Sequence, residues 1–284
     1  MIKDSLISRN FSLNIKGKLF DMNSPKIMGI LNATPDSFYK ESRTSNISSV
    51  LAKAEMMLSE GAHFLDIGGF STRPSAKEIT EDAELKRVIP LIEALTNRFP
   101  EAIISIDTFR SKVAKNAIET GASIINDVSG GQADEKMFGT VASLKAPYIL
   151  MHMRGTPTNM MQDLTYENIT KEVISFFVEQ TEKLKKLGHN DIIIDPGFGF
   201  SKNLGQNYEL LKHLNHLHVV GYPVLIGVSR KSMIYKLLKT TPEMALNGTN
   251  ILNFASLENG ARILRVHDVK EAQETIELFR ALQN

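Results

Sequence analysis

The 284-residue sequence contains no cysteine. That absence excludes a thiol nucleophile, a disulfide framework, Cys-based zinc sites and iron–sulfur ligation, and it fits a reducing compartment. Long apolar runs are missing too: none approaches the roughly 18 residues of a membrane span. The first twenty residues mix charge where a signal peptide would be apolar. The expectation is a cytoplasmic protein with no membrane partner. Nor is there an excess of charge of one sign. Lys and Arg number 33 against 32 Asp and Glu, a formal net charge of +1, whereas a general binder of nucleic acid wants a clear basic excess. That balance still permits a small, local anion site. Low-complexity segments, Pro/Ser-rich linkers and abrupt shifts in composition are absent as well. With 42% apolar and 23% charged residues, the composition is that of a globular chain rather than a disordered one.

What the sequence does contain is a recurring unit: a short apolar run, a polar or glycine turn, then a longer amphipathic stretch. The runs are Ile27–Leu31, His63–Ile67, Ala102–Ile106, Ser123–Asn126, Pro147–Met151, Asp191–Ile194, Pro223–Val228 and Ala261–Val266. Each is strand-length, and most are rich in Ile, Val or Leu, as strands buried on both faces are. Helical patterns cover Ser48–Leu58, Thr80–Arg98, Arg110–Glu119, Glu135–Leu144, Glu167–Leu187, Gln206–His216, a longer stretch over Lys231–Leu257, and Val269–Leu282. Gly61, Gly121, Gly188 and Gly260 each follow one of these patterns, where a left-handed C-cap is expected.

This alternation predicts an α/β fold, a (β/α)8 TIM barrel, for which about 250 residues are typical. The whole chain, 1–284, reads as one domain with residues 1–25 as an N-terminal lead. Phe11–Phe20 alternates weakly, as a β-hairpin closing the barrel floor would. The competing architecture is an open doubly wound sheet. Its dinucleotide fingerprint is absent, since Gly197-Phe198-Gly199 lacks the third glycine.

Barrel chemistry sits at the C-terminal ends of the strands, so the residues that follow each apolar run are informative. In chain order they include Asn32, then Asp66 with Gly68-Gly69, Thr72 and Arg73, then Asp107, Asn126-Asp127, His152 and Arg154, Asp195, Ser229 to Ser232, and Arg265 with His267-Asp268. Two chemistries are visible. Asp107, Asn126, Asp195 and Lys231 combine acceptors and donors suited to the edge of a flat, nitrogen-rich heterocycle, with Met151 and Phe200 as apolar walls. Asn32, Thr72, Arg73, Arg265 and His267 are neutral or cationic donors that suit a di- or triphosphate. Asn32 also offers a hard carbonyl ligand for Mg²⁺.

Each residue taken singly has a plainer reading. Asp107 and Asp195 read equally as a helix cap or a turn former, Met151 as core packing, Arg265 as a surface or interface salt bridge, and Asn32 as an Asx turn before Pro35. His213, His216 and His218 match no zinc spacing and read as a solvated or capping face.

At these positions the sequence resembles the dihydropteroate synthase family. The matching stretches are ILNATPDSF (30–38), STRP (71–74), SIDTFR (105–110), INDVSGG (125–131), LMHMRGTP (150–157), DPGFGFSK (195–202), GVSRKSM (227–233) and RVHDVKE (265–271). They run in family order over nearly the whole chain. The resemblance implies a barrel that joins 6-hydroxymethyl-7,8-dihydropterin diphosphate to p-aminobenzoate, usually as a homodimer. It implies that Asp107, Asn126, Asp195 and Lys231 hold the pterin, and that Thr72, Arg73, Arg265 and His267 hold the diphosphate. Asn32 would help to bind Mg²⁺, and Phe38, Pro74, Phe200 and Ser232 would shape the p-aminobenzoate site. The chain departs from the family pattern at Phe70 and Ser75, where an acid and a glycine are usual, and at residues 40–43, where the family carries a Gly-Gly pair. Two other readings use part of the same set: a pterin-binding methyltransferase barrel, which has no use for the anion residues, and a non-catalytic pterin-binding paralogue, against which the intact Lys231, Arg265 and His267 argue.

Overall fold

Apolar runs buried on both faces must satisfy their backbone groups against one another, and parallel strands with helical crossovers allow that. The computed structural model, which describes residues 9–32, 43–69, 79–156, 159–160 and 164–283, has them do so. A first pair, β1 (Ser12–Ile15) and β2 (Lys18–Asp21), is antiparallel. The other strands are β3 (Lys26–Asn32), β4 (Phe64–Gly68), β5 (Ile103–Asp107), β6 (Ile124–Asp127), β7 (Tyr148–Met151), β8 (Ile192–Asp195), β9 (Leu225–Ile226) and β10 (Ile263–Val266). They form one sheet in the order β8-β7-β6-β5-β4-β3-β10-β9. A parallel bridge between Ile194 and Val224 brings its two ends together, and the Ile194 N–H donates to the Pro223 carbonyl at 3.0 Å. The result is a nearly closed barrel of eight parallel strands.

The helices between the strands are α1 (Arg43–Ser59), α2 (Glu81–Arg98), α3 (Ser111–Thr120), α4 (Met137–Leu144), α5 (Ile169–Lys186), α6 (Leu204–Lys212), α7 (Ser232–Tyr235), α8 (Leu246–Glu258) and α9 (Val269–Gln283). Local chemistry sets many of their ends. Thr80 caps α2 by accepting from the Ala83 N–H at 3.2 Å, with Glu81, Asp82 and Glu84 at the positive end of the helix. Gly121, at φ 129°, ends α3 as expected.

Two helical patterns do not become single helices. Lys231–Leu257 divides into α7 and α8. Pro242 lacks an N–H and Lys239 is left-handed at φ 52°, so the helix cannot run through. Gln206–His216 stops at Lys212 and continues as a tighter 3₁₀ turn, Leu214–Val220. Leu210, Leu211, Leu214 and Leu217 stay buried throughout, so the tightening keeps the apolar face that made the pattern look continuous.

The expected hairpin is present and has a target. Lys16 (φ 51°) and Gly17 (φ 82°) are both left-handed, as a two-residue type I′ turn requires. Leu13, Ile15 and Met22 pack on Met28, Phe64, Ile124, Ile149, Ile193, Leu225 and Ile263, with Ile103 at the edge. Every barrel strand contributes one residue to that floor. Alternate residues, such as Ile27, Leu65, Ile104 and Ile125, face the helices in the main core. The strand period of two then decides what the other mouth receives. Asp66, Asn126, Met151, Asp195 and Arg265 each stand two residues beyond a floor residue, and Asp107 stands four beyond Ile103.

Candidate active site

The side chains delivered to this mouth are bonded to one another across the barrel. Arg265, at the end of β10, donates from Nε to Asp66 Oδ2 at 2.6 Å and from Nη2 to Asp107 Oδ2 at 2.8 Å. Asn126 Nδ2 donates to the same Asp66 oxygen at 3.0 Å. Since the Asn126 N–H groups face Asp66, its carbonyl is left as the acceptor it can show to a ligand. Asp66 is 1% exposed, and its Oδ1 is a buried acceptor with no hydrogen-bond partner among the described residues.

These pairings resolve two of the plainer readings. Asp107 is not a cap for α3: the Ser111 N–H at the start of that helix donates to Asp134 Oδ2 at 2.7 Å. Arg265 is a buried ion-pair centre rather than a surface bridge, with 19% of its side chain exposed against 0% for Asp66 and 14% for Asp107. The turn-forming reading of Asp195 does hold, because its Oδ1 accepts from the Gly197 N–H at 2.8 Å. Asp127, next to Asn126, points the other way and is consumed by Ser129, Gly131 and the Tyr148 hydroxyl.

The strand-end turn after β8 carries Phe200, and Lys231 reaches across to it. Lys231 Nζ lies 4.7 Å over the Phe200 ring and donates to the Phe198 carbonyl. Phe200 and Phe109 border a small apolar cluster of Val128, Met151, Met153 and Met160. Met151 is therefore packed, and it is packed at the mouth, between the polar rim and the barrel interior. Ser232 follows Lys231 as the first residue of α7. On the far side, Ser229 Oγ accepts from the His267 backbone N–H at 3.2 Å and lies 3.0 Å from His267 Nδ1.

Burial sets the protonation of this site. It pushes Asp107 up to about 7, against the pull of the Arg265 guanidinium, and raises Asp195, against the pull of Lys231. It lowers Lys231 to about 8, with Asp195 opposing, and lowers His267 to about 4, with Arg265 adding to the effect. Burial also works against the charge on Arg265, but Asp66 and Asp107 outweigh it and hold the guanidinium above its ordinary value. His267 is thus a neutral imidazole at neutral pH.

Phe38, Thr72, Arg73 and Pro74 lie outside the described residues, as do Phe70, Ser75, residues 40–42 and the side chain of Asn32. The Asn32 backbone ends β3, paired with Gly68. Asp66 is the residue that sequence reasoning left without a role. The signal for it was available: it stands two residues after Phe64 in a run whose alternate members face the barrel interior. Together the mouth offers carboxylates, an amide carbonyl and an ammonium around one edge, and a neutral imidazole beside them.

Residues 28–267 match the family model described as pterin binding enzyme. The dihydropteroate synthase of Haemophilus influenzae is 39% identical over 274 residues, covering 96% of this chain and 99% of that protein. Among solved structures, Yersinia pestis dihydropteroate synthase in a sulfonamide drug complex superposes with a TM-score of 0.89 at 40% identity, over 96% of this chain and 99% of that one. The Xanthomonas albilineans dihydropteroate synthase with 4-aminobenzoic acid also gives 0.89, at 36% identity, over 97% and 99% of the two chains.

Proposed function

Because the chain belongs to the dihydropteroate synthases, an enzyme family of folate biosynthesis that transfers a pterin group to p-aminobenzoate, we propose that its barrel mouth works as follows. Asp107, Asn126, Asp195 and Lys231 bind the edge of 6-hydroxymethyl-7,8-dihydropterin diphosphate. The carboxylates and the Asn126 carbonyl accept its ring N–H and amine protons, and Lys231 donates to its acceptors. Met151 and Phe200 wall the ring. The observation that carries this reading is the network in which Arg265 joins Asp66 to Asp107 and Asp66 joins Arg265 to Asn126. It holds the recognition groups in place before any ligand arrives.

Arg265 and His267 face the diphosphate, with Thr72 and Arg73. Phe38, Pro74, Phe200 and Ser232 shape the p-aminobenzoate site. The reaction breaks the bond between the exocyclic methylene carbon and the diphosphate oxygen, whose electron pair leaves with pyrophosphate. The amine lone pair of p-aminobenzoate forms the new C–N bond, and the amine then loses a proton. The pterin stabilises positive charge at its methylene carbon as that bond breaks, so the substitution is dissociative; the arylamine is already nucleophilic and needs little base catalysis, so the protein acts chiefly by positioning and by stabilising charge. Asp107 and Asp195 stabilise the positive charge that develops on the pterin.

Asn32 fits a role as the protein ligand of Mg²⁺, which typically keeps waters and takes most of its other ligands from phosphate oxygens. No group of three His, Asp or Glu residues arranged for a metal occurs among the described residues. Bound there, Mg²⁺ would neutralise the charge of the leaving group. The enzyme is a single-domain, cytoplasmic homodimer in this reading. Leu237, Leu238, Met244, Ile251, Leu278 and Leu282, exposed along α7 to α9, support a subunit contact there.

Pyrophosphate release from the pterin diphosphate, measured with and without p-aminobenzoate and Mg²⁺, tests the proposal. Amine-dependent release is expected. Release that ignores the amine, or none at all, refutes it.

A further inference from the structure

The turn after β8 is gripped from two sides by ammonium groups. From the mouth, Lys231 donates to the Phe198 carbonyl. From beneath, Lys202 Nζ donates to the Phe200 carbonyl at 3.0 Å and to the Gly197 carbonyl at 3.1 Å, and it lies 3.0 Å from His152 Nδ1. Lys202 is 2% exposed and His152 is 3% exposed. The His152 carbonyl is a fourth acceptor, at 3.4 Å, so the three N–H groups are fully satisfied without water.

The turn needs such a hold. Gly197 (φ 68°), Gly199 (φ 80°) and Ser201 (φ 46°) are all left-handed, and for the fully buried Ser201 that conformation is strained. The fit to the neighbouring strand is close: a Cβ on Gly197 would lie 2.1 Å from the His152 carbonyl oxygen. Further ties run beside the knot. The Arg154 N–H donates to Ser201 Oγ at 2.9 Å, and the Gly199 N–H donates to Asn207 Oδ1 at 2.7 Å.

We infer that Lys202 is a positioning residue. Its buried ammonium, held between the Gly197 and Phe200 carbonyls and the His152 ring, ties the turn after β8 to the end of β7 and thereby aims the Phe200 ring into the substrate site. Asp195 lies upstream of the knot, on the strand itself and with its own bond to Gly197, so it depends on Lys202 less than Phe200 does. The charged and titratable groups that face Lys202 are Asp195, Lys231, Arg154 and His152. Burial brings Lys202 down to about 7, with Asp195 opposing. His152 is held well below its ordinary range by burial, with Lys202 adding to the effect, so its Nδ1 is an acceptor for the ammonium.

The inference rests on Phe200 serving the p-aminobenzoate site, and the test separates the two. Lys202→Met keeps the length of the side chain and removes the donors. It should raise the KM for p-aminobenzoate roughly tenfold or more, the scale on which misplacing a binding wall acts. Because Phe200 also walls the pterin, the dissociation constant of the pterin diphosphate should rise no further than it does in Phe200→Ala. His152→Leu, which removes the ring acceptor together with the ring's contacts with Phe176 and Tyr166, should show the same pattern in weaker form, and it stands in if Lys202→Met does not fold. Phe200→Ala is the reference. If Phe200→Ala raises that KM and neither other variant does, Lys202 does not position the turn and the site assignment survives. If Lys202→Met weakens pterin diphosphate binding beyond the loss seen in Phe200→Ala, the residue is merely structural and the inference fails. If Phe200→Ala leaves the KM unchanged, the assignment of Phe200 is wrong and the inference falls with it.

Discussion

Asp66 offers the sharpest test of the network at the barrel mouth. It is buried, and one of its oxygens accepts from both Arg265 and Asn126. Truncation to alanine leaves the guanidinium with Asp107 alone and the Asn126 amide without an acceptor. Breaking a buried ion pair from one side costs about 3–5 kcal/mol, and a stranded buried donor costs about 1–3 kcal/mol. Two effects oppose that loss: Asp66 and Asp107 are like charges, and Arg265 keeps its contact with Asp107 at 2.8 Å. The attraction wins, because Arg265 touches Asp66 at 2.6 Å whereas the two carboxylates interact across the guanidinium that neutralises them. Asp66→Ala should therefore lose about 3–4 kcal/mol. Asp66→Asn, which keeps an acceptor but not the charge, should lose about half as much.

Urea unfolding followed by circular dichroism measures both losses. A second reading comes from Asp107, which burial raises and the nearby charges of Asp66, Glu84 and Asp127 raise further. Asp66→Asn should move the acid limb of pterin binding to lower pH. An alanine variant within about 1 kcal/mol of wild type, or an acid limb that does not move, would refute the argument.

Pterin recognition should also confine activity to a narrow pH range. Asp107, at about 7, offers two charged acceptor oxygens only when ionised, so binding weakens as pH falls through that value. Lys231, at about 8, donates as an ammonium, so binding is lost as pH rises through its own. The kcat/KM for the pterin diphosphate should peak between the two, and a profile flat from about pH 6 to about pH 9 would sink the assignment. Two glycines with left-handed backbones should differ sharply. Gly197→Ala puts a Cβ 2.1 Å from a backbone oxygen and should cost about 3–5 kcal/mol. Gly17→Ala, with nothing within 4 Å, should cost only about 1 kcal/mol. Equal losses in urea unfolding would show that the close approach of the β7 and β8 ends does not matter.

Much of the fold was legible because barrel strands buried on both faces read as apolar runs. Where such a run ends in a polar residue, as at Asp107, Asn126 or Asp195, the chain has reached the mouth. Asp66 was harder to read because it sits inside the run FLDIG, with apolar neighbours on both sides. Only the facing of Phe64, two residues earlier, shows that it points inward. The split between α7 and α8 was obscured by apolar spacing that continues through the break. The hairpin could be read from the alternation of Leu13 and Ile15, but the floor it covers is assembled from eight separate strands.

The sequence by itself determined the repeating architecture and which residue types reach the catalytic mouth. Both follow from periodicity, which is local: a strand repeats every two residues wherever it lies. Only the tertiary structure decided how those residues act. Arg265 meets Asp66 and Asp107 across 199 and 158 residues of chain, and Lys202 meets His152 across 50. Such meetings depend on the closure of the barrel. They also set the charge of Asp107, the neutrality of His267 and the aim of Phe200, because desolvation and pairing act through distance in space rather than position along the chain.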